Sequence, residues 1–309
     1  MSFILTILGS SSALPTSERY PSAHVLTVHE RPFLIDCGEG TQMQLRRNRI
    51  RMGRINHIFI SHLHGDHIFG LYGLLSSLNL MGREHSMHIY APAGYEHILP
   101  RHLSDFDIIL DFELKFTPLA GRDPAVVLSD KHLTVTAFPL KHRVPSFGFL
   151  FKERLRERSI VPEAINEYPI PVSQMKGIKQ GKDLVRDDGA VVPNHQITLA
   201  PPDPLSYAYC SDTSYFERLS SFVKGVDLLY HEATFDSSLE EFALKTGHST
   251  ALDAARVASK AGVGRLVIGH FSSRYRDADP LVEEAATLFP ETVAAHENMV
   301  IDVGSLRKG

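Results

Sequence analysis

Apolar and polar positions along the chain fall into short blocks that switch between two spacings. Residues 3–8 and 23–28 are β-forming runs, the first followed by the turn Gly9-Ser10-Ser11-Ser12. A third strand at 33–35 runs into the polar, glycine-punctuated loop Asp36-Cys37-Gly38-Glu39-Gly40, and 41–49 predicts a helix. A strand at 57–61 is followed by a helix reaching residue 80, in which Leu71, Leu74, Leu75 and Leu78 fall on one face. Further strands are predicted at 88–90, 108–116, 132–138 and 147–151.

The same texture returns after residue 200. Strands are predicted at 207–210, 226–230 and 265–269, with helices near 237–245, over 251–260 and from Asp279-Pro280, and two short strands close the chain. Ser214 to Glu217 and Thr250 to Asp253 both carry the spacing of a helix capping box. The first of these predicts a helix N-terminus just after Asp212. Strands alternate with helices, with hairpins mixed in, in two similar halves. That order favours an α/β fold of two mixed sheets packed face to face with helices outside, a four-layer αββα sandwich forming a single domain over 1–309.

Between the halves, residues 152–200 carry charges, prolines and only scattered apolar positions. Basic residues gather at each end, in Lys152, Arg154, Arg156 and Arg158 and in Lys176, Lys179 and Lys182. An inserted arm, rather than a second core, is the expectation, and loops this long tend to be functional. Another basic run, Arg46, Arg47, Arg49, Arg51 and Arg54, has no acid within it and is either a solvated face or a contact for phosphate or a partner subunit.

The densest chemistry is His62-Leu63-His64-Gly65-Asp66-His67, set between a strand and a helix. An extended H-x-H places two imidazoles on one side of the backbone. Imidazole and carboxylate without thiolate suit zinc or another first-row divalent ion. The plainer alternative, a histidine-rich turn in a chain with 17 histidines, does not account for this order at a strand-to-helix junction. Polar residues also recur at the C-terminal ends of other predicted strands: His142, Asp212, Glu232 and His270. Strand ends on one sheet edge are where such folds gather their chemistry. His62, His64, His142 and Asp212 would complete one four-ligand site, and Asp66, His67 and His270 with the same Asp212 a second.

Composition narrows this little further. A 43% hydrophobic, 22% charged chain can bury a substantial core. Cys37 and Cys210, the two cysteines, lie far apart and read as buried free thiols of a reducing compartment. The opening residues lack a basic n-region, and no run is long enough to span a membrane, so a cytoplasmic protein is expected. The formal charge of −4 is not that of a generic nucleic-acid binder, so any phosphate-binding surface must be local.

With those residues in view, the chain resembles the metallo-β-lactamase-fold hydrolases through His62-x-His64-x-Asp66-His67, His142, Asp212 and His270. The resemblance narrows to the ribonuclease Z family through residues 33–42, His231-Glu232-Ala233-Thr234, Gly247-His248-Ser249-Thr250 and His270-Phe271-Ser272-Ser273-Arg274-Tyr275. It implies a phosphodiesterase with two Zn2+ per subunit, Mn2+ or another divalent ion being an alternative, that cuts the 3′ trailer from precursor tRNA. Asp66 is implied to orient or deprotonate the attacking water, and His248, positioned by Glu232, to protonate the leaving oxygen. A histidine beside a carboxylate does hold a proton more readily, although both residues could serve only as local helix caps. His231 reads as structural.

The resemblance also implies a homodimer in which the flexible arm of one subunit grips the tRNA elbow while the other cuts. Arg46, Arg154, Arg156, Lys176, Lys179 and Arg274 are the candidate RNA contacts. Two departures stand out. Many relatives carry P-x-K-x-R-N after the first strand, where this chain has Ser17 and Tyr20 in place of lysine and asparagine. The arm also lacks the family's Gly-Pro, its nearest counterpart being Ile170-Pro171-Val172-Ser173. Rival readings are a small-molecule phosphodiesterase or sulfatase of the same fold, a binding protein that has lost turnover, and a redox di-iron protein. The last resembles H-x-E-x-D-H, and here His64 stands where the glutamate would be.

Overall fold

The computed structural model describes residues 2–308. The chain divides into two compact units, one built from 1–128, 135–151 and 205–309 and the other from 129–134 and 152–204. Within the larger unit, alternating side chains along each strand sort into an inner and an outer set.

One seven-stranded sheet runs in the order Val300–Asp302, Phe3–Gly9, Ala23–Val28, Arg31–Ile35, His57–Phe59, Met87–Pro92, Leu114–Leu119. The other runs Thr292–Ala294, Arg265–Gly269, Leu228–Glu232, Ser206–Cys210, Phe147–Glu153, Leu133–Pro139, Ala125–Ser129. Inner-face aromatics join them: Phe33 and Phe59 of the first meet Phe149 and Phe151 of the second, with Phe59 and Phe149 centroids 5.3 Å apart. The outer faces are covered by helices. Leu45, Leu71, Leu74, Leu75 and Leu78 pack with Val25, Leu34, Ile58 and Ile89 on one side. Ala251, Ala254, Ala255, Val257 and Leu281 pack with Ala208, Leu229 and Ile268 on the other. This is the expected αββα sandwich.

Each sheet contains four adjacent parallel strands, Arg31–Ile35 through Leu114–Leu119 and Ser206–Cys210 through Thr292–Ala294. Parallel strands end on the same edge, so the residues following them are brought together. That registry positions the site.

Three local expectations change. The helix Tyr95–Asp105 is not anticipated by the sequence reading, because Pro100 in its middle argues for a break. Its buried Tyr95, Leu99 and Leu103 nevertheless recur every four residues. The strand expected over 108–116 forms only as Leu114–Leu119. The capping pattern at 214–217 caps nothing: a short helix starts at Leu219 without a side-chain cap, and Glu217 instead accepts from Lys260 and the Tyr215 hydroxyl. By contrast, Thr250 and Asp253 form the full capping box of the helix Ala251–Ala261.

The smaller unit is not a structureless loop. It contains the helices Pro162–Glu167, Val172–Lys179 and Asn194–Ile197 and two short antiparallel strand pairs. Ala164, Ile170, Ile178, Leu184, Val192 and Ile197 form a small core of its own. These apolar positions looked scattered because turns separate them, so no single periodic run announces them. Asn194 ties the unit together, its amide donating to the carbonyls of Ile178 and Lys182. Pro171 precedes the helix Val172–Lys179 as its N-cap residue.

Both cysteines are buried and free, as expected, and burial pushes the Cys37 thiol up to about 12. Among the described residues no helix is long and apolar enough to cross a membrane.

Candidate metal centre

Asp36 follows the strand Arg31–Ile35 and His270 follows Arg265–Gly269; both residues adopt left-handed backbone, with φ of 54° and 60°. Such conformations in non-glycine residues are costly and gather at functional sites. His62 and His64 follow the strand His57–Phe59, and Asp66 and His67 lie in the first turn of the helix Gly65–Leu80. That helix approaches the turn after Asp36 so closely that a Cβ on Gly70 would come 2.0 Å from the Gly38 carbonyl oxygen. Glycine at 70 is therefore required for the close approach.

All seven expected ligands come together. His62, His64, His142 and Asp212 form one cluster and Asp66, His67 and His270 another, with ligand atoms within 4.8 Å of one another in each. Asp212 faces both. Its Oδ1 lies 3.2 Å from His67 Nε2 and 3.1 Å from His270 Nε2, while its Oδ2 lies 3.5 Å from His62 Nε2 and 3.9 Å from His142 Nε2.

Each of these four histidines is tethered through Nδ1 from behind. His67 Nδ1 donates to Asp36 Oδ2 at 2.8 Å and His142 Nδ1 to the Gly247 carbonyl at 2.7 Å. His270 Nδ1 is 3.0 Å from the Thr234 hydroxyl, which itself donates to Glu232. His62 Nδ1 is 3.1 Å from the Ser61 hydroxyl, which itself donates to Asp36. Those bonds fix the tautomer and aim each Nε2 lone pair inward. Nε2 of His67, His142 and His270 is buried with no hydrogen-bond partner among the described residues.

Buried polar atoms are ordinarily satisfied, so three such nitrogens converging on carboxylates fit a bound cation. The charge agrees. Among the described residues, the buried or nearly buried carboxylates Asp36, Asp66, Asp212 and Glu232 have histidines, hydroxyls and backbone amides as hydrogen-bond and ion-pair partners, and no lysine or arginine. The donor set is that of a divalent-metal site.

Burial works against ionisation of Asp66 and Asp212, but neighbouring histidines outweigh it and hold both carboxyls well below the usual range. Burial also lowers His62 and His142, which keeps their rings neutral and able to ligate.

Glu232 and His248 pair as expected, with Oε1 to Nδ1 at 2.9 Å. The carboxylate is locked by the Thr213 amide at 2.8 Å and the Thr234 hydroxyl at 2.6 Å. Burial lowers the His248 pKa, and the Glu232 carboxylate overrides it, holding it at about 9. Bound cations oppose that rise. His248 lines a cavity of about 390 Å³ with His64, Asp66, Asp212, Phe235 and His270. Gly247, at φ +81°, ends the preceding helix, and a Cβ there would meet His142 Nδ1 at 2.8 Å.

The remaining candidates belong to neither cluster. Arg46 is exposed in the last turn of the helix Thr41–Arg47. Arg154, Lys176 and Lys179 are exposed and Arg156 half-buried in the smaller unit, where Arg154 donates to the Asp130 carbonyl. Arg274 is exposed and lies over the rings of Phe235 and Phe242. His231 is fully buried, its Nδ1 donating to the Glu232 carbonyl.

Sequence reasoning missed the groups behind the ligands: Asp36, Ser61, Thr234 and the Gly247 carbonyl. Asp36 carried a usable signal, since it too follows an apolar strand.

Comparison with known proteins follows the same lines. Residues 3–155 match the family model of the anti-Pycsar protein Apyc1, a stretch that includes His62 to His67 and His142. The chain is 46% identical over 303 residues to ribonuclease Z of Bacteroides thetaiotaomicron, covering 98% of this chain and 96% of that one. Human tRNase Z, short form, superposes with a TM-score of 0.70 at 29% identity, covering 97% of this chain and 99% of that one. The metallo-β-lactamase fold protein YhfI of Bacillus subtilis superposes with a TM-score of 0.70 at 19% identity, covering 97% and 99%, a likeness of fold.

Proposed function

The chain belongs to the ribonuclease Z family, and we propose that it is a metal-dependent endoribonuclease that removes the 3′ trailer from precursor tRNA and leaves a 3′-hydroxyl. The observation that carries this is the division of the Asp212 oxygens between two histidine clusters, beside the Glu232–His248 pair. His62, His64, His142 and Asp212 would hold one Zn2+, and Asp66, His67 and His270 with the same Asp212 would hold a second. Bound ions of this kind polarise a phosphoryl oxygen and lower the pKa of water.

The chain's own groups do the rest. Asp66, beside the second cluster, orients the attacking water or accepts its proton. His248, kept protonated by the Glu232 carboxylate, donates its Nδ1–H to that carboxylate and carries its other proton on Nε2, which it delivers to the 5′ oxygen that leaves. Glu232 touches no substrate and acts through His248. The tethers on Nδ1 keep the ligand rings from turning during the reaction.

The smaller unit serves as the arm. Exposed Lys176 and Lys179, three residues apart in the last turns of one helix, and Arg154 and Arg156 contact the phosphates of the tRNA body, which fixes register without reading sequence. Arg46 contributes a further phosphate contact. The enzyme acts as a cytoplasmic homodimer, one subunit holding the tRNA that the other cuts.

The test is incubation of metal-loaded protein with a precursor tRNA, with mapping of both new ends and metal analysis. A cut on the 3′ side of the discriminator nucleotide, with two zinc ions per chain, is expected. An intact precursor refutes the function, and a single bound ion refutes the two-metal assignment.

A further inference from the structure

From the cavity that His248 and Phe235 line, ring contacts lead to the exposed Phe242. His248 stacks on His270 with centroids 5.5 Å apart and planes at 27°. The Phe235 ring lies edge-on to His248 at 6.2 Å, and Phe242 is edge-on to Phe235 at 5.3 Å. Phe235 is nearly buried, whereas Phe242 is 43% exposed. Arg274 covers both, its guanidinium 5.0 Å from the Phe235 centroid and 5.4 Å from that of Phe242. Among the described residues Arg274 has no ion-pair partner; its Nε donates to the Ser272 hydroxyl at 3.1 Å.

A helix turn meant only for solvent has no need of an aromatic ring with a planar cation laid against it. A flat apolar ring beside a guanidinium is the surface on which single-stranded RNA bases stack, with the cation matching the adjoining phosphate. Resting on the ribonuclease reading above, we propose that Phe242 and Arg274 form a stacking subsite for the base of the first trailer nucleotide, the one whose 5′ oxygen leaves. Its side of the cut follows from His248. The proton donor faces the leaving oxygen, and the rings run outward from that donor, so the nucleotide carrying the leaving oxygen is the one placed over them. Every base has a stacking face, so the subsite is tolerant of base identity. It grips the trailer only while the trailer is unpaired.

The experiment compares two precursors, one natural and one with an abasic first trailer nucleotide, and reads the ratio of their kcat/KM values. For the wild-type enzyme the natural precursor is expected to be favoured roughly 5- to 100-fold, the range of a single base–aromatic stack. In Phe242→Ala that ratio collapses toward one, and in Phe242→Trp it is retained. A wild-type ratio near one, or a ratio unchanged in Phe242→Ala, overturns the subsite. So does a change of oligomeric state in Phe242→Ala with the ratio preserved, since the ring would then belong to a contact between copies of the chain. Failure of the wild-type enzyme to cut either precursor would instead remove the ribonuclease reading itself.

Discussion

Replacing Asp36 by asparagine preserves the shape of the side chain and removes half of its accepting capacity. The carboxylate takes four hydrogen bonds in a fully buried position. Ser61 N–H reaches Oδ1 at 2.7 Å, while His67 Nδ1, the Ser61 hydroxyl and the Tyr209 hydroxyl reach Oδ2 at 2.8, 2.8 and 2.7 Å. The cheaper orientation of an amide keeps its oxygen toward the three donors and turns its NH2 against the Ser61 amide. Two buried donors then face each other, at about 1–3 kcal/mol apiece. The other three bonds lose their charge assistance. The combined loss is about 3–5 kcal/mol, a large part of the roughly 5–15 kcal/mol that stabilises a typical domain.

The second consequence is on the metal. His67 Nδ1 then donates to a neutral amide oxygen instead of a carboxylate, which makes Nε2 a weaker ligand, and such changes weaken metal binding about 10- to 100-fold. Urea unfolding measures the first effect, and competition with a chromogenic zinc chelator measures the second. If Asp36→Asn matched the wild type in both stability and zinc affinity, Asp36 would not be what aims His67.

Three other outcomes follow from the same geometry. Asp66→Ala is expected to abolish cleavage of precursor tRNA in a gel assay, and retention of more than about a hundredth of the rate would remove Asp66 from proton transfer. Deleting about 155–195 is expected to raise the Kd for precursor tRNA at least tenfold while cleavage persists at saturating RNA; an unchanged Kd in a filter-binding assay counts against the arm. Burial, helped by His67, pushes the His24 pKa from 6.5 down to about 3. The unfolded chain therefore binds one more proton between those values, and stability falls as pH falls through that window by about 1.4 kcal/mol per pH unit. His24→Gln in chelator-treated protein should flatten the acid limb of the unfolding free energy by that slope, and an identical limb would show that His24 is not its source.

What the sequence made legible follows from how information is placed along a chain. The ligands could be read because six residues at one strand end hold most of them, and Asp212 and His270 recur at equivalent ends, which parallel registry then superposes. The sandwich could be read because its strands and helices are uninterrupted periodic runs, as in the face Leu71, Leu74, Leu75 and Leu78. Features set by single long-range contacts could not. Thr234 becomes a tether only when the strand Arg265–Gly269 brings His270 within 3.0 Å of it, and the Gly247 carbonyl only when His142 arrives 105 residues away in sequence. Ser214 to Glu217 failed in the opposite sense. The capping letters are present, but Glu217 is drawn to Lys260 on another helix, so a tertiary partner wins over the local cap.

The smaller unit lies between these cases. Its six core residues are spread over 34 positions with three helices and one strand pair among them, so no window contains a whole hydrophobic face. A core that small provides little stability on its own, and elements held by few buried contacts open most readily. If the unit is the tRNA-gripping arm proposed above, that is an advantage: exposed Lys176 and Lys179 on one helix would follow a large RNA of variable outline, while the Nδ1 tethers hold the ligand histidines in place.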